Sequence, residues 1–539
     1  MLGRSRGEIA GTGAGWALGA TRAPSARETR YEACVAKMWA RWLLGLSLVL
    51  FLTAGARADE LAPEASSAFE LSTFMTGLEL PTSLEFLPDG RLVVTEKMGR
   101  VVVRLPSGER VVAGKLDADA KTEKGLLNVI AHPQFAENRL LIFYYSSARA
   151  PDTDKQKISL IRLGDDNHLD MSTEQVLVKG LRGPDDHEMG GGLAIDATGD
   201  LLIGVGDTGC RAKKLPEPPF TPANFFATCL TNGNGKILRV GLDGSIPKDN
   251  PLVSVDAVTA CGDACSDDPF KLSKAEPRRD IWAWGLRNPW RIWVDPKTGN
   301  VWTADVGNLA YEEIDVIPKE GGRHYGWPFR EGAKGHPVSE CRNVTPDRGD
   351  CVDPAYYCRH DDVPGDEDSG CKSINGGLIV DDCRWPDGFR GRYYFADNAN
   401  GRMWSLEPTA ARDGIVPGSR KDLGKADGFV VDLDVGVDGA LYAAVMRIPP
   451  DDSKILRIAP KTPRDCAAAA AAAAGAESAA TAAPPPSSSA SPAATYSPHS
   501  SGEGYGAGGT RRSRRKLAFA IIAAFALLVA AGLVLTGRK

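Results

Sequence analysis

The sequence predicts an all-β protein, a six-bladed β-propeller that spans residues 69–460. Six times along this stretch, two short runs of alternating apolar residues are joined by a polar turn, as in a β-hairpin. A further short apolar run follows five of the six pairs, and the intervening sequence has no helical periodicity. Small sheets of three or four strands bury their faces only against their neighbours, so such a repeat is typical of a propeller.

The repeats are spaced roughly 65 residues apart, which exceeds the ~40–45 residues of a compact blade of the WD40 type. The surplus is expected in loops, where binding sites usually lie. In chain order, the paired runs occupy 84–96, 125–145, 192–207, 290–305, 377–397 and 431–445, and the additional runs occupy 99–105, 157–163, 235–240, 401–406 and 454–458.

Residues 1–58 are predicted to be an N-terminal extension and a signal peptide, with Met38 as the expected start. The apolar run at 42–54 follows Arg41 and is too short to span a bilayer comfortably. A small-x-small cleavage site then ends at Ala58. The alternative is an uncleaved N-terminal anchor, and the cleavage site favours the signal peptide.

The C-terminal part of the chain predicts a tether and a membrane anchor. Residues 467–510 are rich in Ala, Pro, Ser and Gly, a composition that buries no core and indicates a disordered linker. Residues 517–536 carry no charge and are long enough for one transmembrane helix. The basic cluster at 511–516 lies on the outer side in this orientation, against the positive-inside tendency. We keep the exported orientation, because a large translocated domain follows its signal peptide.

The cysteines agree with export. Ten of the eleven lie beyond the predicted signal peptide, mostly in polar loops, as expected for disulfides in an oxidising compartment. The local pairs Cys210 with Cys229 and Cys261 with Cys265 are the expected bridges, and the remaining connectivity stays open. A zinc site is not favoured, because no second pair of ligands stands at the required spacing.

The charge of the chain indicates what it does not bind. The net charge is −5, and the charged residues are spread evenly through the middle of the sequence. Proteins that bind nucleic acid concentrate positive charge on one face. A nucleic-acid partner is therefore not expected.

Propeller geometry predicts which polar residues meet. The first strand of each blade enters from one rim and the second strand returns to it, so residues before the first run and after the second share one channel mouth. A polar ligand is expected there. The alternative for the return-side carboxylates is that they cap turns and backbone donors. The entry side holds Glu123, Asp186, His187, Arg287 and Asn288, and the return side holds Glu96, Asp207, Asp305 and Asp397.

Five motifs, in order along the propeller, together resemble one family. They are the segments 123–135, 186–207, 285–290, 305–314 and 324–328. The chain resembles the soluble quinoprotein glucose and aldose-sugar dehydrogenases, the sorbosone dehydrogenase group. This resemblance implies a six-bladed propeller that holds pyrroloquinoline quinone (PQQ) and calcium at the channel mouth. It also implies oxidation of a sugar's anomeric hydroxyl to a lactone, with electrons passed to an external acceptor.

The resemblance implies catalytic roles for three residues. His187 corresponds to the general base that takes the hydroxyl proton, a task suited to a neutral imidazole. Asp186 would orient it. Arg287 would stabilise the charge that grows on the quinone oxygen.

The resemblance also implies ligand-binding roles. Glu123, Asn288 and Asp305 fall at positions that contact the cofactor or the substrate. The backbone carbonyls of Gly307 and Asn308 match those that bind calcium, which prefers oxygen ligands.

Two departures from the family pattern limit these assignments. In the family the histidine and the strand leucine are five residues apart, whereas His187 and Leu193 are six apart, so either His187 or Glu188 points inward. Basic residues that grip the quinone carboxylates are replaced by Ala399 and Asn400, which leaves Arg402 as the candidate substitute.

Two other functions compete with sugar oxidation. A propeller keeps its shape when its chemistry changes, so the alternative is a cofactorless cell-surface module that binds a glycan or a protein. A metal-dependent lactonase on a similar propeller fits less well, because the motifs around Arg287 and His187 suit the quinone group better.

Overall fold

The computed structural model describes residues 58–149, 155–183, 187–209, 225–260, 273–332, 351–449 and 451–467. The predicted signal peptide, linker and C-terminal helix lie outside these residues, apart from Ala58 and Ala467. Among the residues that the structure describes, no helix has the length and apolarity needed to cross a bilayer.

Six antiparallel sheets of four or five strands form the blades, which confirms the predicted six-bladed propeller. Blade 1 contains β3 (Pro81–Phe86), β4 (Leu92–Glu96), β5 (Arg100–Arg104) and β6 (Arg110–Lys115). Blade 2 contains β7 (Leu126–Ala131), β8 (Leu140–Ser146), β9 (Lys155–Leu163) and β10 (Leu169–Arg182). Blade 3 contains β11 (Gly190–Ile195), β12 (Leu201–Val205), β13 (Lys236–Val240) and β16 (Ile281–Trp284), with a separate hairpin of β14 (Val258–Thr259) and β15 (Lys274–Ala275).

The second half of the ring follows the same plan. Blade 4 contains β17 (Pro289–Val294), β18 (Val301–Asp305), β19 (Tyr311–Ile317) and β20 (Tyr356–Arg359). Blade 5 contains β21 (Ile374–Ile379), β22 (Tyr393–Asp397), β23 (Arg402–Leu406), β24 (Lys421–Lys425) and β1 (Glu60–Leu61). Blade 6 contains β25 (Phe429–Val435), β26 (Leu441–Met446), β27 (Ser453–Pro460) and β2 (Phe69–Leu78). The helical segments are α1 (Pro63–Ala68), α2 (Phe135–Asn138) and a 3-10 turn at Phe225–Thr228.

Two N-terminal strands pair with later blades, and one of them closes the ring. Strand β2 pairs antiparallel with β27, from Phe69 opposite Pro460 to Leu78 opposite Ser453, so the first and last parts of the propeller share one sheet. Strand β1 adds to the edge of blade 5 through β24. The innermost strands contact one another in turn around the axis, and the last contacts the first. The blades therefore close radially.

Each blade is buried on both faces. In blade 1, Val93 packs in the cluster shared with blade 2, whereas its neighbours Leu92 and Val94 pack in the cluster shared with blade 6. Successive side chains of a strand point to opposite faces, so both alternate sets must be apolar. This explains why apolar residues often occupy consecutive positions in these strands, where the sequence analysis expected alternation.

Arg291 of β17 lies at the axis and contacts the innermost strands of other blades. Its Nε donates to Asp432 of blade 6 at 2.8 Å, and its guanidinium also donates to the carbonyls of Thr82 in blade 1 and Leu127 in blade 2. A Cβ on Gly376 of blade 5 would lie 2.5 Å from the Arg291 Cβ. All six innermost strands line a cavity of about 290 Å³ here.

Disulfides fasten the outer parts of blades 4 and 5. Cys358 bonds Cys371, and Cys383 bonds Cys466 across 83 residues, which ties the end of the described chain to blade 5. Cys229 is disulfide-bonded as well. Cys210, Cys261 and Cys265 lie outside the described residues, so both local pairings stay predictions.

Candidate active site

Carboxylates at the ends of the second strands hold the entry loops of three blades in place. Each accepts backbone N–H groups from the residues just before the first strand of its own blade. These carboxylates therefore cap backbone donors, as the alternative interpretation of the sequence expected. Asp305 accepts from the backbone N–H of Arg287 at 2.8 Å and from that of Asn288 at 2.6 Å. The same arrangement joins Glu96 to Glu79, and Asp397 to Lys372 and Ser373.

Arg287 is the centre of the candidate site. Its Nη1 donates to the carbonyl oxygens of Val306 at 2.7 Å and Gly307 at 2.5 Å. Its Nη2 donates to the Glu188 carboxylate, and the guanidinium lies 5.7 Å from the centre of the Trp327 ring. Only 12% of the Arg287 side chain and 13% of the Glu188 side chain are exposed. The predicted cation at the mouth is therefore fixed by contacts from two blades.

The backbone at Glu188 directs its side chain toward Arg287. Glu188 has a left-handed φ of 53°. Its N–H donates to Glu123 Oε2 at 2.7 Å, and its carbonyl oxygen accepts from the Thr208 N–H at 3.0 Å. A Cβ on Gly206 would lie 1.9 Å from that carbonyl oxygen. The close approach requires glycine at 206 and fixes the loop before β11.

The structure places His187 differently. Its side chain is exposed and makes no polar contact with the other residues that the structure describes. Asp186 lies outside the described residues. Of the two alternatives that the spacing left open, Glu188 is therefore the residue that contacts Arg287.

Asn288 and Asp207 join the entry loops of blades 3 and 4. Asn288 Oδ1 accepts from the Gly190 N–H at 2.8 Å, and Asp207 donates its own N–H to the Arg287 carbonyl at 2.8 Å. Asp207 Oδ2 accepts from Trp327 Nε1 at 2.7 Å. Hydrogen bonds thus join the entry loops of blades 3 and 4 around Arg287.

Several carboxyl groups at this mouth hold their protons more tightly than usual. Loss of water, and then the charge of Glu188, raises the pKa of Glu123 to about 7, although Glu123 itself is at the surface. Burial raises the pKa of Asp207 and of Asp305 to about 7. Burial opposes the charge of Arg287, but Glu188 and Asp207 raise its pKa above the ordinary value. The guanidinium is therefore permanently charged among carboxyl groups whose pKa values lie near 7.

Glu331 shapes the loop that follows β18. Its Oε1 accepts from the N–H groups of Asn308, Leu309 and Ala310, each at 2.8 Å. These N–H groups point at Glu331, while the carbonyls of Val306 and Gly307 point at a cation, the Arg287 guanidinium. Sequence reasoning missed Glu331, because no motif reveals which glutamate lies beneath a loop.

A second group of oxygen atoms could hold a metal. The carboxylates of Asp305, Glu313 and Asp315 are buried, and their oxygens lie within 4.8 Å of one another. Both carboxylate oxygens of Asp315 are buried without a hydrogen-bond partner. Burying an unpaired carboxylate is costly, and hard cations such as Ca²⁺ take oxygen ligands. The chemistry of this set fits such a cation.

Arg402 makes its contacts within blade 5. Its guanidinium lies 3.5 Å from Asp422 and 5.1 Å from the Trp404 ring. These partners belong to the third and fourth strands, and its cofactor-binding role stays a prediction.

Basic residues also lie at the strand ends, and the sequence analysis did not name them as candidates. Arg447 follows the second strand of blade 6 and pairs with Asp427 at 3.2 Å. Lys97 follows the second strand of blade 1, and Lys372 precedes the first strand of blade 5. The same positional argument that found Asp305 would have found them.

The sequence matches the family model described as glucose/sorbosone dehydrogenase over residues 78–376, more than half of the chain. The chain belongs to this family. The family consists of oxidoreductases, and the predicted resemblance is confirmed.

Curated relatives of the family include two sugar dehydrogenases. The aldose sugar dehydrogenase YliI of Escherichia coli is 25% identical over 268 residues, covering 49% of this chain and 63% of that protein. Quinoprotein glucose dehydrogenase B of Acinetobacter calcoaceticus is 27% identical over 314 residues, covering 54% of this chain and 60% of that protein. The chain thus matches less than two thirds of the length of either relative.

Solved structures of the family share the fold. The soluble aldose sugar dehydrogenase from Escherichia coli in its apo form has a TM-score of 0.56 at 19% identity, covering 73% of this chain and 100% of that one. The PQQ-bound aldose sugar dehydrogenase from Streptomyces coelicolor has a TM-score of 0.54 at 18% identity, covering 74% and 100%.

Proposed function

We propose that this protein is a quinoprotein oxidoreductase that oxidises the anomeric hydroxyl of an aldose sugar to a lactone, with PQQ as the hydride acceptor and an external acceptor to reoxidise it. The observation that carries the proposal is Arg287, a buried guanidinium held by the carbonyls of Val306 and Gly307 at the mouth where entry loops converge. Membership of the glucose/sorbosone dehydrogenase family supports it.

The residues at the mouth fit an anionic quinone. Arg287 is charged, lies against the Trp327 ring, and can stabilise negative charge on a quinone oxygen. Three more basic residues lie at strand ends around the same rim and would pair with the carboxylates of the quinone. They are Lys97, Lys372 and Arg447. PQQ, when bound, supplies the two-electron hydride acceptor that no side chain offers.

The protein itself must bind the sugar and take the hydroxyl proton. The resemblance assigns the proton to His187, oriented by Asp186, and His187 is exposed at the mouth as this task requires. Glu188 beside it is the alternative, since it contacts Arg287. Glu123 accepts the backbone N–H of Glu188, and we propose that it contacts the sugar or the cofactor. Asn288 acts by positioning the loop through Gly190.

We also propose calcium at this mouth. The Gly307 carbonyl oxygen accepts from the Arg287 guanidinium, and a carbonyl oxygen is also a ligand that Ca²⁺ prefers. Gly307 and Asn308 would hold the ion beside the cofactor. The cluster of Asp305, Glu313 and Asp315 is the other set of described oxygen atoms that fits it. A bound Ca²⁺ would polarise a ligand oxygen.

Export and membrane anchoring complete the proposal. The disulfides Cys358–Cys371 and Cys383–Cys466 favour an oxidising compartment. A fusion of the full chain to a periplasmic reporter, followed by membrane fractionation, tests the signal at 1–58 and the helix at 517–536. A reduced, cytoplasmic protein would contradict the proposal.

The direct test uses purified protein with PQQ and Ca²⁺, a set of aldoses, and an artificial electron acceptor. We expect dye reduction that depends on both quinone and sugar, and an Arg287→Gln variant that loses most of it. No dye reduction by the loaded wild-type protein would contradict the enzyme and favour the cofactorless binding module.

A further inference from the structure

Two carboxylates and one guanidinium form a chain of contacts across the candidate site. Glu188 Oε1 accepts from Arg287, and the Glu188 N–H donates to Glu123 Oε2 at 2.7 Å. The arrangement brings together residues from the entry loops of blades 2, 3 and 4. Its members come from three parts of the sequence, so the contacts are a property of the closed propeller.

The single extra residue before β11 decides which side chain enters this group. His187 and Leu193 are six residues apart, whereas Glu188 and Leu193 are five apart. Glu188 is fixed on both sides of its peptide by Glu123 and Thr208, and its left-handed φ of 53° belongs to that geometry. The imidazole of His187 is exposed beside this group. The spacing and the contacts therefore select the same residue.

We propose that Glu188, with Glu123 beside it, is the proton acceptor for the sugar hydroxyl, a role that rests on the proposed sugar oxidation. In this step the O–H bond of the anomeric hydroxyl breaks, and its proton moves to the Glu188 carboxylate. The C1–H bond would break as well, and C1–O would become the carbonyl of the lactone. PQQ, held beside Arg287, would supply the acceptor for the hydride and its two electrons.

The neighbours of Glu188 suit this task. The charged groups that face the pair are Arg287, Asp207 and Lys97, and the ion pair with Arg287 holds the Glu188 carboxylate in place. Glu123 holds a proton up to about pH 7, because loss of water and the Glu188 charge raise its pKa. Glu123 is exposed and accepts the backbone N–H of Glu188, so the proposed acceptor is held in place from the solvent side.

Isosteric variants test the assignment in the loaded enzyme. With PQQ and Ca²⁺ bound, Glu188→Gln is expected to lower kcat by about 10²–10⁴-fold, the range contributed by a positioned base. Quinone binding, followed by the visible absorption of the cofactor, should persist. Glu188→Asp should recover part of kcat, and His187→Gln should lose less than Glu188→Gln. Glu137→Gln on an exposed helix is the matched control, with wild-type turnover.

A second readout needs neither cofactor nor turnover. In protein labelled with ¹³C at glutamate carboxyl groups, NMR titration should show the Glu123 midpoint falling in Glu188→Gln, because a like charge is removed. Glu137→Gln should leave that midpoint unchanged. Melting temperatures of all variants establish that they fold.

The outcomes distinguish failure of the Glu188 assignment from failure of the proposed function. If the loaded wild type turns over sugar but Glu188→Gln keeps more than a third of its kcat, Glu188 is not the acceptor, whereas the proposed function stands. If His187→Gln loses more than Glu188→Gln, the proton goes to His187. If the loaded wild type turns over no aldose, the proposed function fails. If the Glu123 titration midpoint does not move in Glu188→Gln, the claim that the two carboxyl groups interact is wrong.

Discussion

Replacing Arg291 by methionine should destabilise the whole propeller. The side chain is 8% exposed, as is that of its partner Asp432, and the two atoms of the ion pair are 2.8 Å apart. Methionine fills a similar volume but leaves the Asp432 carboxylate buried without its counter-ion. Among the described residues, Asp432 would then keep two backbone donors, the N–H groups of Leu84 at 3.0 Å and Leu433 at 3.1 Å.

The expected magnitude follows from these contacts. Removing one partner of a buried ion pair costs about 3–5 kcal/mol, because the other charge stays buried and uncompensated. The carbonyls of Thr82 and Leu127 also lose their donor. We therefore expect Arg291→Met to lower the free energy of unfolding by about 3–5 kcal/mol. The double variant with Asp432→Asn should recover part of this loss, since no charge is then left unpaired.

Urea unfolding followed by circular dichroism measures these differences. Arg359→Met is the matched control, because Arg359 is 42% exposed and lies 3.4 Å from the exposed Asp361. An exposed pair of this kind contributes about 0–1 kcal/mol. If Arg291→Met cost no more than Arg359→Met, the argument that this arginine joins the blades at the axis would be wrong.

Three further predictions concern a disulfide, a carboxyl group and a metal. Replacing both Cys383 and Cys466 by serine opens a loop of 83 residues and should lower the free energy of unfolding by about 2–5 kcal/mol, measured by urea unfolding; no change would show that the bridge is dispensable. Burial raises the folded-state pKa of Asp434 to about 7, so this group favours the folded protein when protonated, and its contribution is lost as pH rises from the unfolded value of about 4 toward 7. Melting temperatures between pH 5 and 8 should therefore fall less steeply in Asp434→Asn than in the wild type, and equal slopes would contradict the shift. Chelation of calcium should lower both the melting temperature and the dye-linked activity, and a loaded enzyme indifferent to chelator would count against the metal.

Much of the fold could be predicted because its signal is local. Runs such as Leu92–Glu96 and Leu201–Val205 alternate faces over five residues and are bounded by turns, so both strands and repeats are visible in the sequence. The closing strand was harder to assign. Phe69–Leu78 pairs with a partner nearly four hundred residues away, and nothing in its own residues names that partner.

The sequence predicted the part of the site that follows from strand direction, which determines the strand ends that meet at the channel mouth. Residues at the strand ends, such as Arg287, Asn288 and Asp305, were expected at one mouth and are in contact there. The choice between His187 and Glu188 was not predictable, because a shift of one residue turns a side chain to the opposite face. Glu331 was missed because its contacts depend on the folded shape of a loop.

The measurement that tests the central claim most directly is an anaerobic single turnover. Protein loaded with PQQ and Ca²⁺ is mixed with an aldose in the absence of any electron acceptor, and the visible absorption of the cofactor is recorded. We expect the oxidised quinone spectrum to convert to the reduced one with one lactone formed per bound quinone, and far more slowly in Arg287→Gln. An unchanged spectrum in protein that demonstrably holds quinone would contradict the account.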